Sequence, residues 1–214
     1  KANRLNLKRK VKPLKYDIDE TFFDKWSKEL AYFLGFFMAD GGIDKKENSL
    51  KIKIQKRDSY LLRYFKELLK TNRPIKIEGG YPAIMISNKL IVQKMKNFGC
   101  VPCNSLANYY PKDMPEKYFF HFLRGYIEGD GSIYISKSKK SRQKNVLRVA
   151  ILGSKEFLEY LIKEISMKLE KPINNKIVKD KRGSGILHKV TVNSQLARDL
   201  CAKLYKNCGN LYLK

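Results

Sequence analysis

Acidic side chains are scarce in this 214-residue sequence: 21 Asp and Glu stand against 45 Lys and Arg, a formal net charge of +24. Histidine is scarcer still, and the two present, His121 and His188, have no ligand partner at a suitable spacing, which argues against a histidine-based metal nuclease. Long apolar runs are missing. The longest, Leu30 to Ala39, falls far short of a bilayer span. No apolar block follows the polar, basic start, so neither a signal peptide nor secretion is expected, and the expected location is intracellular (cytoplasm, nucleoid or organelle). No glycine-rich phosphate loop of the Walker type occurs, which leaves ATP hydrolysis without support. Cysteines are few. Cys100 and Cys103 form a CxxC pair, but six residues separate Cys201 from Cys208, which is not a zinc-ribbon spacing, and all four are read as reduced thiols.

What is present points elsewhere. Hydrophobic residues at 43%, with 12% aromatics, exclude a disordered basic tail, because disorder requires a shortage of core formers. An excess of positive charge this large calls for a polyanion. A membrane reader concentrates its charge on one amphipathic helix or terminal cluster, whereas here Lys and Arg run through the whole chain and alternate with apolar residues. Nucleic acid is the better match. Residues 1–19 form a basic leader, with Lys1, Arg4, Lys8, Arg9, Lys10, Lys12 and Lys15 preceding the first acid, Asp17. It fits either a solvated tail or an arm along a phosphate backbone.

Periodicity divides the rest into two similar parts. Trp26, Leu30, Phe33, Leu34 and Phe37 recur at helical spacing up to Asp40-Gly41-Gly42. Leu50, Ile52 and Ile54 then alternate with Lys51, Lys53 and Gln55 as a half-buried strand. An amphipathic helix over 58–70, strands at 75–78 and 83–87, and a helix over 88–98 complete the first unit. A helix from Glu116 to Asp130-Gly131, strands at 132–137 and 146–152, a helix over 155–169, strands at 173–179 and 186–192, and a helix from Ser194 repeat the order. The expected class is α+β: two pseudosymmetric αββαββα halves with antiparallel sheets, spanning 20–98 and 116–214 and joined by a proline-bearing linker at 99–115. Strand alternation places Lys51, Lys53, Tyr134, Ser136, Arg148, Lys189 and Thr191 on sheet faces suited to DNA, and Lys176 joins them as a candidate contact.

The two helix ends carry the chemistry. Gly35 and Ala39 stand four apart before Asp40, as Gly125 and Gly129 do before Asp130. That spacing makes a smooth stripe along which another helix backbone can approach closely. If the stripes pack together, Asp40 and Asp130 emerge side by side at negative helix ends, an arrangement a divalent cation relieves. Mg2+ suits one or two carboxylates beside phosphate oxygens, with Mn2+ or Ca2+ able to take its place; Ala39 offers no metal-binding atom.

Gly35-Phe36-Phe37-Met38-Ala39-Asp40-Gly41 and Gly125-Tyr126-Ile127-Glu128-Gly129-Asp130-Gly131 resemble the two signature helices of the LAGLIDADG homing endonucleases. The resemblance implies a monomer whose two sheets form a DNA-gripping saddle. It also implies hydrolysis of one phosphodiester on each strand of a long target, leaving 3′ overhangs. Asp40 and Asp130 map to the metal-coordinating acids. Gln55 and Lys89 resemble polar and basic residues that surround the metals, and Leu152 and Gln195 are the aligned positions in the second half. Met38 departs from an acid that Glu128 keeps, at a position the resemblance makes peripheral to the metals. The same scaffold also suits an RNA maturase or a non-cleaving DNA-binding regulator.

Overall fold

The structure is a computed structural model that describes residues 16–46, 48–102, 109–137, 145–180, 187–209 and 212. The basic leader through Lys15, and Cys103 with the linker residues up to 108, lie outside the described residues. A 3-10 turn at Glu20–Phe23 leads into α1 (Lys28–Asp40), whose first turn is capped by Ser27 Oγ accepting from the Leu30 amide at 3.0 Å. Every residue from Leu30 to Ala39 is buried. An element apolar all round belongs in the middle of a protein, and that is where α1 lies.

The first half continues through β1 (Gly41–Ile43), β2 (Ser49–Lys53), α2 (Ser59–Leu68), β3 (Lys76–Glu78), β4 (Tyr81–Ser87) and α3 (Lys89–Asn97). The second comprises α4 (Phe119–Asp130), β5 (Gly131–Lys137), β6 (Asn145–Gly153), α5 (Lys155–Leu169), β7 (Val178–Lys179), β8 (His188–Asn193) and α6 (Ser194–Leu204). Each half holds one four-stranded antiparallel sheet, ordered β1-β2-β4-β3 and β5-β6-β8-β7. Helices pack on one face of each. In the first sheet the pairs Leu50–Ile86 and Ile52–Ile84 turn toward the helices, while Lys51–Met85 and Lys53–Ala83 point away. In the second, Val149–Val192 and Ile151–Val190 turn inward, and Arg148–Asn193, Ala150–Thr191 and Leu152–Lys189 turn outward. Phe33, Phe36 and Phe65 fill the space beneath the first sheet, each worth roughly 2–3 kcal/mol of burial. Among the described residues no helix is long and apolar enough to cross a membrane.

Two strands differ from the sequence expectation. β1 follows α1 without a break, and its Gly-Gly-Ile sequence lacks the alternation that announces a strand. The strand expected over 173–179 shrinks to Val178–Lys179. Pro172 removes a ladder donor there, and the Ile173 amide bonds to Ser166 Oγ of α5 at 3.1 Å instead, which holds this stretch against the helix.

Candidate active site and nucleic-acid interface

The site is built on the contact between α1 and α4. A Cβ added to Gly35 would sit 2.9 Å from the Phe122 carbonyl carbon and closer still to its oxygen. One added to Gly125 would sit 2.8 Å from the Phe36 amide nitrogen and collide with the Tyr32 carbonyl. Phe122 and Tyr32 are equivalent positions, as are Gly125 and Gly35, so the contacts are reciprocal. Near the far end, a Cβ on Gly129 would run into the Cβ of Ala39, its equivalent. Tyr32 to Ala39 thus matches Phe122 to Gly129 in the same direction: the helices run parallel about a pseudo-twofold axis between them. Only a glycine stripe lets two backbones approach this closely. Because an axis along the helices relates the halves, β1 and β5 leave it in opposite directions.

At the end of this pair α1 and α4 finish in Asp40 and Asp130. Each is followed directly by a strand, and the glycines at 41 and 131 have extended backbones. They serve space rather than a turn: a Cβ at 41 would strike the Phe37 ring, and one at 131 would lie 2.6 Å from the Ile127 carbonyl oxygen. Asp40 is exposed and Asp130 half-buried. Burial, and then the charge of Asp40, push the Asp130 carboxyl up to about 7; burial also raises Asp40. The second carboxylate feels the first, which is the mark of two acids sharing one site. No positive charge among the described residues lowers either value. Nor do three or more His, Cys, Asp or Glu side chains cluster there as a closed metal cage. Two oxygen-bearing acids with open space around them fit a hard divalent cation that keeps positions for water and phosphate.

Behind the carboxylates lies a partly buried polar network that sequence reasoning missed. Glu128 accepts the Tyr32 hydroxyl at 2.7 Å and the Tyr205 hydroxyl at 3.1 Å. Arg124, fully buried, donates to the Leu204 carbonyl at 2.5 Å and stacks over the Tyr32 ring at 5.0 Å. Glu128 therefore ties α1 and the end of α6 to α4, and this is the work done by the acid that Met38 lacks. The signal was an Arg and a Glu four apart in a largely apolar helix, a spacing that sets both on one face.

The other expected site residues divide by register. Gln55 is exposed at the end of β2, on the same strand end as Gly41. Lys89 is not brought to the carboxylates. Ser87 pairs with Ser49, at the end of the sheet opposite to Gly41–Ile52, which puts Lys89 roughly 15–20 Å along the strands from Asp40. Its neighbour Asn88 bonds instead to Glu20, before the start of α1, at 2.5 Å. The alignment of Gln55 with Leu152 also changes. Ile151 faces Gly131 as Ile52 faces Gly41, so Leu152 matches Lys53, and Ser154, the cap of α5, matches Gln55. Gln195 does match Lys89, and its side chain donates to Asp199 at 2.9 Å.

On the faces away from the helices lie Lys51, Lys53, Tyr134, Ser136, Arg148, Lys189 and Thr191. Lys51 forms an ion pair with Glu78, and Lys53 stands 5.2 Å over the Tyr81 ring. Lys176 lies elsewhere, in a shallow cleft with Lys155 and Glu159 of α5, because its segment never joins the sheet.

A family profile described as a LAGLIDADG-like domain matches residues 27–72, from the cap of α1 to the turn after α2. No curated protein matches the chain. Among solved structures, meganuclease I-SmaMI bound to uncleavable DNA superimposes with a TM-score of 0.55 at 16% identity, over 88% of this chain and 86% of that one. The I-LtrWI LAGLIDADG homing endonuclease bound to target DNA gives 0.55 at 15% identity, over 87% and 85%. I-SmaMI on uncleaved DNA with calcium ions gives 0.50 at 16%, over 79% and 80%. The chain carries a LAGLIDADG-like segment at 27–72 and, over most of its length, the fold of the LAGLIDADG homing endonucleases.

Proposed function

We propose that the protein is a site-specific double-stranded DNA endonuclease that uses a divalent cation, Mg2+ in the cell, to hydrolyse one phosphodiester on each strand and leave 3′ overhangs. One observation carries the reading: Asp40 and Asp130, from parallel helices packed glycine to backbone, end in one place where burial disfavours both charges and Asp40 adds to the cost of ionising Asp130. A protein does not maintain such a pair for stability. The basic, helix-free sheet faces on either side supply the surface along which a duplex would lie, their lysines positioning phosphates and the longer polar side chains reaching base edges. DNA-bound solved structures of the same fold support the duplex as substrate.

In this reading Asp40 and Asp130 would hold the cation, and the close helix packing fixes the distance between the two cuts. A divalent cation bound there would supply charge neutralisation at phosphate and a more acidic water. Water attacks phosphorus in line, the bond to the 3′ oxygen breaks, and the leaving oxygen takes up a proton. Gln55, exposed at the edge of the site, orders water on the first-half side. Ser154 stands at the equivalent place but accepts a hydrogen bond from the Phe157 amide at 3.3 Å, so the two sides differ in their free polar groups.

The test is cleavage of a randomised duplex library with Mg2+ by the wild type, Asp40→Asn and Asp130→Asn. The reading predicts that the wild type enriches one cut family and that neither variant does. Failure of the wild type to cut any duplex, or cutting by the variants as well, overturns it.

A further inference from the structure

The two halves share a root but not a reach. In the first hairpin the ladder runs from Gly41–Ile52 only to Ile43–Leu50, where Asp44 closes it by accepting from the Asn48 amide at 2.7 Å and the Ser49 amide at 2.9 Å. In the second the equivalent ladder runs from Gly131–Ile151 out to Lys137–Asn145, four pairs further. At about 3.3 Å per residue that is roughly 13 Å of additional ribbon.

Little of this ribbon builds the core. Leu147 packs against it, but on the same side Ile135 is 65% exposed and Ile133 is 36% exposed, and on the open side Tyr134 is 41% exposed. A two-stranded ribbon with this much apolar surface in water is marginal by itself. Its chemistry suits a polyanion: Lys137 and Arg148 are its charged residues, and no acid occurs in β5 or β6. At its base Arg148 stands across the ladder from Asn193, and the Nε of one and the Oδ1 of the other are buried without a hydrogen-bond partner.

We infer that the contact with DNA is lopsided: the β5–β6 ribbon lies in the major groove on the second-half side and extends recognition about four base pairs further from the cut than the first half reaches, at 3.4 Å per base pair. Tyr134, Ser136 and Arg148 are the residues of that extension, with Asn193 at its base. The inference rests on the endonuclease reading and goes beyond it, since two equal halves would serve cleavage as well.

The experiment takes a duplex that the wild type cuts and removes base pairs one at a time from either end. The expected result is that cutting survives about four more removals on one side than on the other. Removing Ser136, Lys137, Asn145 and Val146 shortens the ribbon by two pairs without flipping its faces. That variant should need about two fewer base pairs on the long side and cut at the same phosphodiesters. Tyr134→Ala, at an exposed position that leaves the fold intact, should lose base discrimination only toward the long end. Arms equal within one base pair, or Tyr134→Ala relaxing both ends alike, overturn the inference and leave the endonuclease reading standing. A wild type that cuts no duplex overturns both.

Discussion

Burial beside Asp40 keeps the Asp130 carboxyl largely protonated up to about pH 7 in the cation-free protein, against 3.8 for the unreacted group. A folded-state value above the unfolded one means that ionisation is harder in the native protein. The cost is absent below about pH 4, grows as pH rises, and is complete above 7. Asp130→Asn should therefore stabilise the protein by about 1–3 kcal/mol at pH 8 in EDTA and by nothing at pH 4, read as thermal midpoints at the two values. Equal midpoints at pH 8 would show that neither burial nor Asp40 makes the Asp130 carboxylate costly. Added Mg2+ or Ca2+ should raise the wild-type midpoint at pH 8 and leave an Asp40→Asn, Asp130→Asn double variant where it was. On the sheet face, Glu78 is the acid that occupies Lys51. Glu78→Gln should tighten duplex binding several-fold at low salt and steepen its salt dependence, measured by titration at several salt concentrations.

At the scale of elements, the helix pair sets the tolerance of the whole site. Gly35→Ala or Gly125→Ala places a methyl group against the backbone of the opposite helix and should cost about 2–4 kcal/mol in urea unfolding. Gly42→Ala, two residues beyond Asp40 with nothing within 4 Å, should stay within about 0.5 kcal/mol of wild type. The helices themselves were legible in the sequence because their apolar spacing is regular and their ends are marked by Asp-Gly. β1 was not, since Gly41-Gly42-Ile43 has no face to alternate, and the stretch after α5 misled because Ile173, Ile177 and Val178 look like a strand while Pro172 and the bond to Ser166 keep most of it out of the sheet. The two strands of the ribbon were expected at 132–137 and 146–152, but its extra length over the first hairpin was not. Asp130 follows Asp40 by 90 residues while Ile151 follows Ile52 by 99, so only the strand register, and not the sequence spacing, gives Ser154 rather than Leu152 as the partner of Gln55. The Arg124–Glu128 network was invisible for another reason: Tyr32 and Tyr205 reach it from opposite ends of the chain.

For the whole molecule, the charge of +24 and the pair of acids take opposite parts. Under the proposed function, lysines and arginines on the open faces draw in a duplex by releasing its counterions, which makes affinity fall steeply with salt. Phosphates brought to Asp40 and Asp130 then add to their repulsion, which is why the proposal requires a cation with the substrate. The doubled helix, the doubled sheet and the axis between them followed from the repeat in the sequence, and the parallel packing of α1 and α4 gives that repeat its physical meaning. Binding and cutting should then separate cleanly. On one duplex that the wild type cuts, affinity and single-turnover cleavage are measured with Mg2+ for the wild type, Asp40→Asn and Asp130→Asn. Both variants should bind at least as tightly as the wild type, having lost a charge that repels phosphate, and should cut more slowly by about 10²–10³-fold or more. Cleavage by either variant near the wild-type rate would contradict the account.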